Sequence, residues 1–235
     1  MIQKIINTMQ DQLSFELPLR IALDKDNYFI SRANHEAVVF IENWMDWPQK
    51  KLVLVGPSGS GKTHLSNVWA GEVNATILDA AFLSKQNIEK ICKTSVLLEN
   101  IDQIVGSKVT EEILFYLHNL LHAKGKSLLM TSRKPPSRLN FLLPDVQSRL
   151  QGASVVELKP VDDDLLVAML VKNLSDRQMN FTDNLLSYVL PRIERSYSAV
   201  KFFVEDLDVR AMAENRPIGK RLAKEILDLQ FNNSE

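Results

Sequence analysis

The chain is 235 residues long, 45% hydrophobic and 24% charged, with 28 basic and 29 acidic residues for a net charge of −1. Such a chain holds one large domain or a domain and a half, and its balance excludes both a chain-wide basic field for nucleic acid and an acidic tail. A single cysteine, Cys92, excludes an internal disulfide and a cysteine-rich zinc site and points to a reducing, cytoplasmic setting. No apolar run reaches the roughly 18 residues of a membrane span, and Met1 to Gln12 lacks the apolar core of a signal peptide.

Residues 1–30 read as a tail followed by a loop. Within them Gln12-Leu13-Ser14-Phe15-Glu16-Leu17 is a short apolar–polar segment ended by Pro18. It suits an extended peptide added to a partner's groove, with Gln12 hydrogen-bonded and Leu13, Phe15 and Leu17 in apolar pockets. The alternative is a strand or coil that covers the sheet, but its place in a polar tail ahead of the nucleotide domain favours the docking peptide. Asn34 to Trp44 has apolar residues at helical spacing. Lys51-Leu52-Val53-Leu54-Val55 is an unbroken run of the kind that forms a buried parallel strand. Helices are expected over 63–73, 82–91 and 111–122, and strands over 74–79, 95–98, 127–132 and 154–158. This alternation predicts an α/β fold, a parallel sheet sandwiched by helices. After Pro160 only helical patterns follow, over 162–174, 182–190, 197–215 and 217–229, with Thr182 as an N-cap. The expected organisation is a tail (1–23), a nucleotide-binding α/β domain (24–160) and a small α-helical lid (161–235).

Only eight glycines occur, and three fall in Gly56-Pro57-Ser58-Gly59-Ser60-Gly61-Lys62-Thr63. This stretch matches G-x-x-x-x-G-K-[ST] at each fixed position, between a predicted strand and a predicted helix. Such a loop turns successive N–H groups onto phosphate oxygens; Lys62 reaches the β- and γ-phosphates and Thr63 coordinates Mg²⁺. P-loop proteins hold the same Mg²⁺ with an acid at the end of a neighbouring strand, here Glu99. Asn100 follows where a second carboxylate would polarise water, and an amide cannot take up that proton. Asp102 substitutes only if its loop bends back. The expectation is nucleotide binding with little hydrolysis of its own.

Four segments in order are similar to the AAA+ domain of the bacterial replication initiator family (the DnaA/Hda family). They are the P-loop, Leu98-Glu99-Asn100-Ile101-Asp102, the run from Leu129 to Pro136, and Ser148-Arg149-Leu150. Asn27, Phe29 and Ile30 resemble the family's adenine-side segment, and His64 follows the loop threonine. The resemblance covers about residues 24–230. The segment Gln12-Leu13-Ser14-Phe15-Glu16-Leu17 is similar to the sliding-clamp peptide of the family's short regulatory members, as is an ending at Glu235 with no helix-turn-helix domain. This implies a regulator, bound to ADP or ATP with Mg²⁺, that docks on the DNA polymerase sliding clamp and promotes hydrolysis of ATP held by the initiator DnaA. It implies that Arg149 is an arginine finger acting on a neighbour and that Ser132 is the polar sensor beside the loop. The family's lid arginine falls on Ser198, with Lys201 one turn later as a substitute. Departures at Asn100 and Ser198 favour a protein that holds ADP.

Other classes stay open: a stand-alone AAA+ ATPase or remodelling factor, and a non-hydrolysing adaptor between DnaA-type proteins and the clamp. Residues 121–150 hold six basic residues against one acid, so DNA contact, if any, is indirect or weak. A homodimer is also compatible. Trp44, Trp47, Trp69 and the leucine-rich stretch 113–121 are expected in the core, and the four histidines form no metal cluster.

Overall fold

A computed structural model describes residues 29–232, with the side chains of 230–232 left out of account. The fold divides into two compact units, one holding Arg32–Lys159, the other Phe29–Ser31 and the chain from Pro160 on.

The first unit is built on five parallel strands: β1 Lys51–Val55, β2 Thr76–Asp79, β3 Val96–Glu99, β4 Leu128–Ser132 and β5 Ser154–Glu157, in the order β2-β3-β4-β1-β5. β1 lies between β4 and β5 and is buried at all five positions. That is why its sequence is apolar without alternation. The edge strands β2 and β5 expose Ile77 and Val155. Helices α1 His35–Glu42, α2 Lys62–Glu72, α3 Ile88–Ile91, α4 Lys108–Ala123 and α5 Pro144–Gln151 complete this unit. On one face Val53, Val55, Leu98 and Met130 pack with Leu114, Leu117 and Leu121 of α4. α2 packs on β1, β3 and β4 and buries Leu65 and Trp69 completely.

Three sequence expectations are corrected. The helix expected over 82–91 is broken into a 3₁₀ turn, Ala80–Lys85, and the short α3, because Gln86 and Asn87 are extended and the Asn87 side chain caps the Lys90 N–H at 3.0 Å. The helix expected to reach Trp44 ends at Glu42 and gives way to a 3₁₀ turn. Trp44 is consequently only half-buried, whereas Trp47 stacks on Trp69 at 5.4 Å and donates its indole N–H to the Phe40 carbonyl at 2.7 Å. Finally, α5 is a helix the sequence reading left without an element; Pro144 opens it at the position where proline's missing N–H costs nothing.

The second unit comprises α6 Asp163–Asp176, α7 Asp183–Val189, α8 Tyr197–Ala213 and α9 Lys220–Asn232. Side chains start the first three. Asp162 accepts from Leu165 N–H at 2.8 Å, Thr182 from Leu185 at 3.4 Å, as expected of that cap, and Ser196 from Ala199 at 3.0 Å. α6 buries every residue from Leu165 to Val171, and Phe203, Val204 and Leu207 of α8 close the same core with Ile226 of α9. No described helix is long and apolar enough to cross a membrane.

Candidate nucleotide-binding site

The glycine-rich loop leaves β1 and enters α2. The Gly56 N–H donates to the Ser132 carbonyl at 3.2 Å, tying the end of β1 to that of β4. A side chain at Gly56 would meet the Leu158 carbonyl at 2.6 Å and Ser60 Oγ at 2.7 Å, so only glycine fits. Gly61 sits at the head of α2 with φ of 92°, a left-handed conformation natural to glycine. Gly59 also has positive φ, and Pro57 and Ser58 are exposed. Lys62 lies across the loop and donates to the Gly56 carbonyl at 2.7 Å and the Pro57 carbonyl at 2.8 Å. Thr63 is exposed in the first helical turn; His64 beside it is half-buried, and burial lowers its pKa.

The ends of β3 and β4 gather around that lysine. Burial lowers the Lys62 pKa and the Arg133 charge lowers it further, while Asp102 and Glu99 pull the other way. Glu99 closes β3, and its Oε1 is buried with no hydrogen-bond partner, as is Ser60 Oγ of the loop. Buried polar atoms are rarely left unpaired in folded proteins. Asp102 does bend back, accepting from the Arg133 N–H at 3.2 Å and lying 3.4 Å from Ser132 Oγ. Ser132 Oγ also donates to the Lys134 carbonyl at 2.7 Å. Asn100 adopts φ of 61°; its N–H donates to Thr131 Oγ1 at 3.0 Å and its amide to Asp79 Oδ2 at 2.8 Å. Sequence reading missed Asp79 and Thr131. Their partners are distant in the chain, and no local motif marks them.

Arg149 lies elsewhere in the same unit. It is exposed in the last turn of α5, and its charge acts on Lys51 and His118. Lys51 opens β1, whereas the loop follows its close. At about 3.3 Å per strand residue, those two ends stand roughly 13 Å apart. The Lys51 ammonium is buried against His118 Nε2 and donates to Gln49 Oε1 at 3.1 Å. Burial, then Arg149, brings Lys51 down to about 8; burial, then Lys51, brings His118 down to about 4.

Phe29, Ile30, Ser198 and Lys201 belong to the helical unit, where Phe29 packs on the core, Ile30 is buried and Lys201 is exposed on α8. Asn27 and the segment from Gln12 to Leu17 lie outside the described residues. Among the described residues no three His, Cys, Asp or Glu side chains converge as a metal site.

Residues 70–157 match the model of the bacterial DnaA ATPase domain. An uncharacterized protein of Haemophilus influenzae is 28% identical over 200 residues, covering 80% of this chain and 86% of that one. The chromosomal replication initiator protein DnaA of Cutibacterium acnes is 24% identical over 225 residues, 86% of this chain but 45% of the initiator. The chain thus spans less than half the length of that initiator. Among solved structures, AMPPCP-bound DnaA from Aquifex aeolicus superposes with a TM-score of 0.70 at 16% identity, covering 83% of this chain and 68% of that one.

Proposed function

Because the chain is a DnaA-related AAA+ protein, we propose that it is an Hda-type regulator of chromosomal replication initiation. It holds an adenine nucleotide, docks on the sliding clamp and promotes hydrolysis of the ATP bound to DnaA. The separation of Arg149 from the chain's own glycine-rich loop carries this reading. A guanidinium beside the start of β1 is poorly placed for phosphates held beyond its end, which supports a role in a neighbour's pocket.

Residues 56–63 hold the diphosphate, with Lys62 leaving the loop carbonyls to meet it. The orphaned Oε1 of Glu99 and the exposed Thr63 fit a hard cation such as Mg²⁺, which takes oxygen ligands from one or two protein groups and from the phosphates. Bound there, the cation neutralises phosphate charge. Asn100 offers no base, and its amide is already committed to Asp79, so the chain turns over little ATP of its own, and the ADP it holds is taken up as ADP. Gln12 to Leu17 form the clamp peptide. The sheet unit and the helical unit serve as nucleotide-binding domain and lid.

The test is Arg149→Ala in the full chain. Nucleotide and clamp binding remain, and the stimulated hydrolysis of DnaA-bound ATP falls by about a thousandfold or more, the range measured for arginine fingers. Stimulation at the wild-type rate would overturn the assignment. Brisk turnover by the chain alone would favour a stand-alone ATPase, and full regulatory activity of Lys62→Ala a pure adaptor.

A further inference from the structure

Glu111 is fully buried in the first turn of α4, although a carboxylate at that place on a helix ordinarily faces water. Both its oxygens are taken by backbone donors from two different loops. Oε1 accepts from the Gly106 N–H at 3.0 Å, and Oε2 from the Leu143 N–H at 2.8 Å. Gly106 belongs to the loop that leaves Glu99, Asn100 and Asp102. Leu143 immediately precedes Pro144, the first residue of α5. One buried charge therefore joins the acidic end of the nucleotide site to the head of the helix that bears Arg149.

Burying a carboxylate is costly unless its hydrogen bonds are met. An apolar residue would fill the same space at no such cost. What only the carboxylate supplies is two fixed backbone anchors, one on each side. The other polar tie on α5 is local: Gln147 accepts from the Phe141 N–H at 3.3 Å and donates to the Pro136 carbonyl at 2.8 Å. Arg149 lies six residues beyond Leu143, about 9 Å along the helix axis, so a tilt at the head is carried to the guanidinium.

We propose that Glu111 is a positioning residue for Arg149, holding α5 at a set distance from the acidic loop. The proposal rests on the reading of Arg149 as a finger acting in trans. Its test uses the full chain with clamp and ATP-bound DnaA. Glu111→Gln keeps the shape but turns an amide N–H toward a backbone N–H; Glu111→Asp keeps the charge and shortens the reach. In both, the maximal stimulated rate falls about tenfold to a hundredfold, as expected for a group displaced by an ångström. Nucleotide affinity and the half-saturating concentration of the chain stay as in the wild type. Hydrogen exchange speeds up over residues 139–151 while β1 and β4 keep their protection, and Glu111→Gln adds nothing to Arg149→Ala. A wild-type maximal rate, a rise in half-saturating concentration alone, or loss of protection in β1 and β4 as well would overturn it. Arg149→Ala at the wild-type rate would sink the finger reading itself. An inactive Arg149→Ala beside a fully active Glu111→Gln would sink only the role of Glu111.

Discussion

The amide of Asn100 is committed to Asp79, whose other oxygen caps the Ala81 N–H at 2.8 Å. A carboxylate at position 100 would face Asp79 at hydrogen-bond distance, and two such groups cannot both ionise without cost. Asn100→Asp therefore gains no ATP turnover of its own and destabilises the fold by about 1–3 kcal/mol at pH 7. One folded-state pKa of that pair is raised, so the penalty is present above it and fades as the pH falls and a proton is taken up. Thermal unfolding at neutral and acid pH reads this directly, and Asp79→Asn in the same chain restores stability. His118 supplies a second pH dependence. Its pKa is about 4 in the fold against 6.5 ordinarily, so below pH 6.5 the unfolded chain binds the extra proton. Stability then falls by roughly 3 kcal/mol between pH 6.5 and 4. Lys51, lowered to about 8, makes stability rise again as the pH climbs from 8 toward 10.5. His118→Gln, which still offers Lys51 an acceptor, flattens the acid limb in denaturant melts. A limb of unchanged slope would contradict the buried pair.

At the scale of elements, legibility followed burial. β1 and the loop could be read directly, since a strand buried on both faces is apolar throughout and the following turn admits only glycine at its first position. α5 escaped because it is eight residues long, opens on proline and buries only Val146 and Leu150, too few for a period to show. The break near Asn87 escaped because a polar residue inside a helical pattern and a new N-cap look alike in one sequence. Caps were legible where a hydroxyl preceded an apolar run, as at Thr182. Ser196, buried beneath the head of α8, makes the same contact. Ser196→Ala should cost about 1–2 kcal/mol in equilibrium unfolding, and a change below a few tenths would show that the cap is idle.

For the molecule as a whole, the motifs are local and the contacts that support their elements are not. Glu99 and Asp102, from the end of β3 and the turn after it, act on the charge of the loop lysine, and Ser132 lies against Asp102. The contacts of Asp79 with Asn100 and of Glu111 with Leu143 act across 21 and 32 residues and leave no local pattern. Arg149 lies on α5, and its charge is felt at Lys51, which opens β1. The most direct measurement loads labelled ATP into one pocket at a time, that of the chain or that of DnaA, and follows phosphate release in the clamp-bound mixture. Label should leave the DnaA pocket only, and Arg149→Ala should stop it. Release from the chain's own pocket at a comparable rate, unaffected by that substitution, would contradict the account.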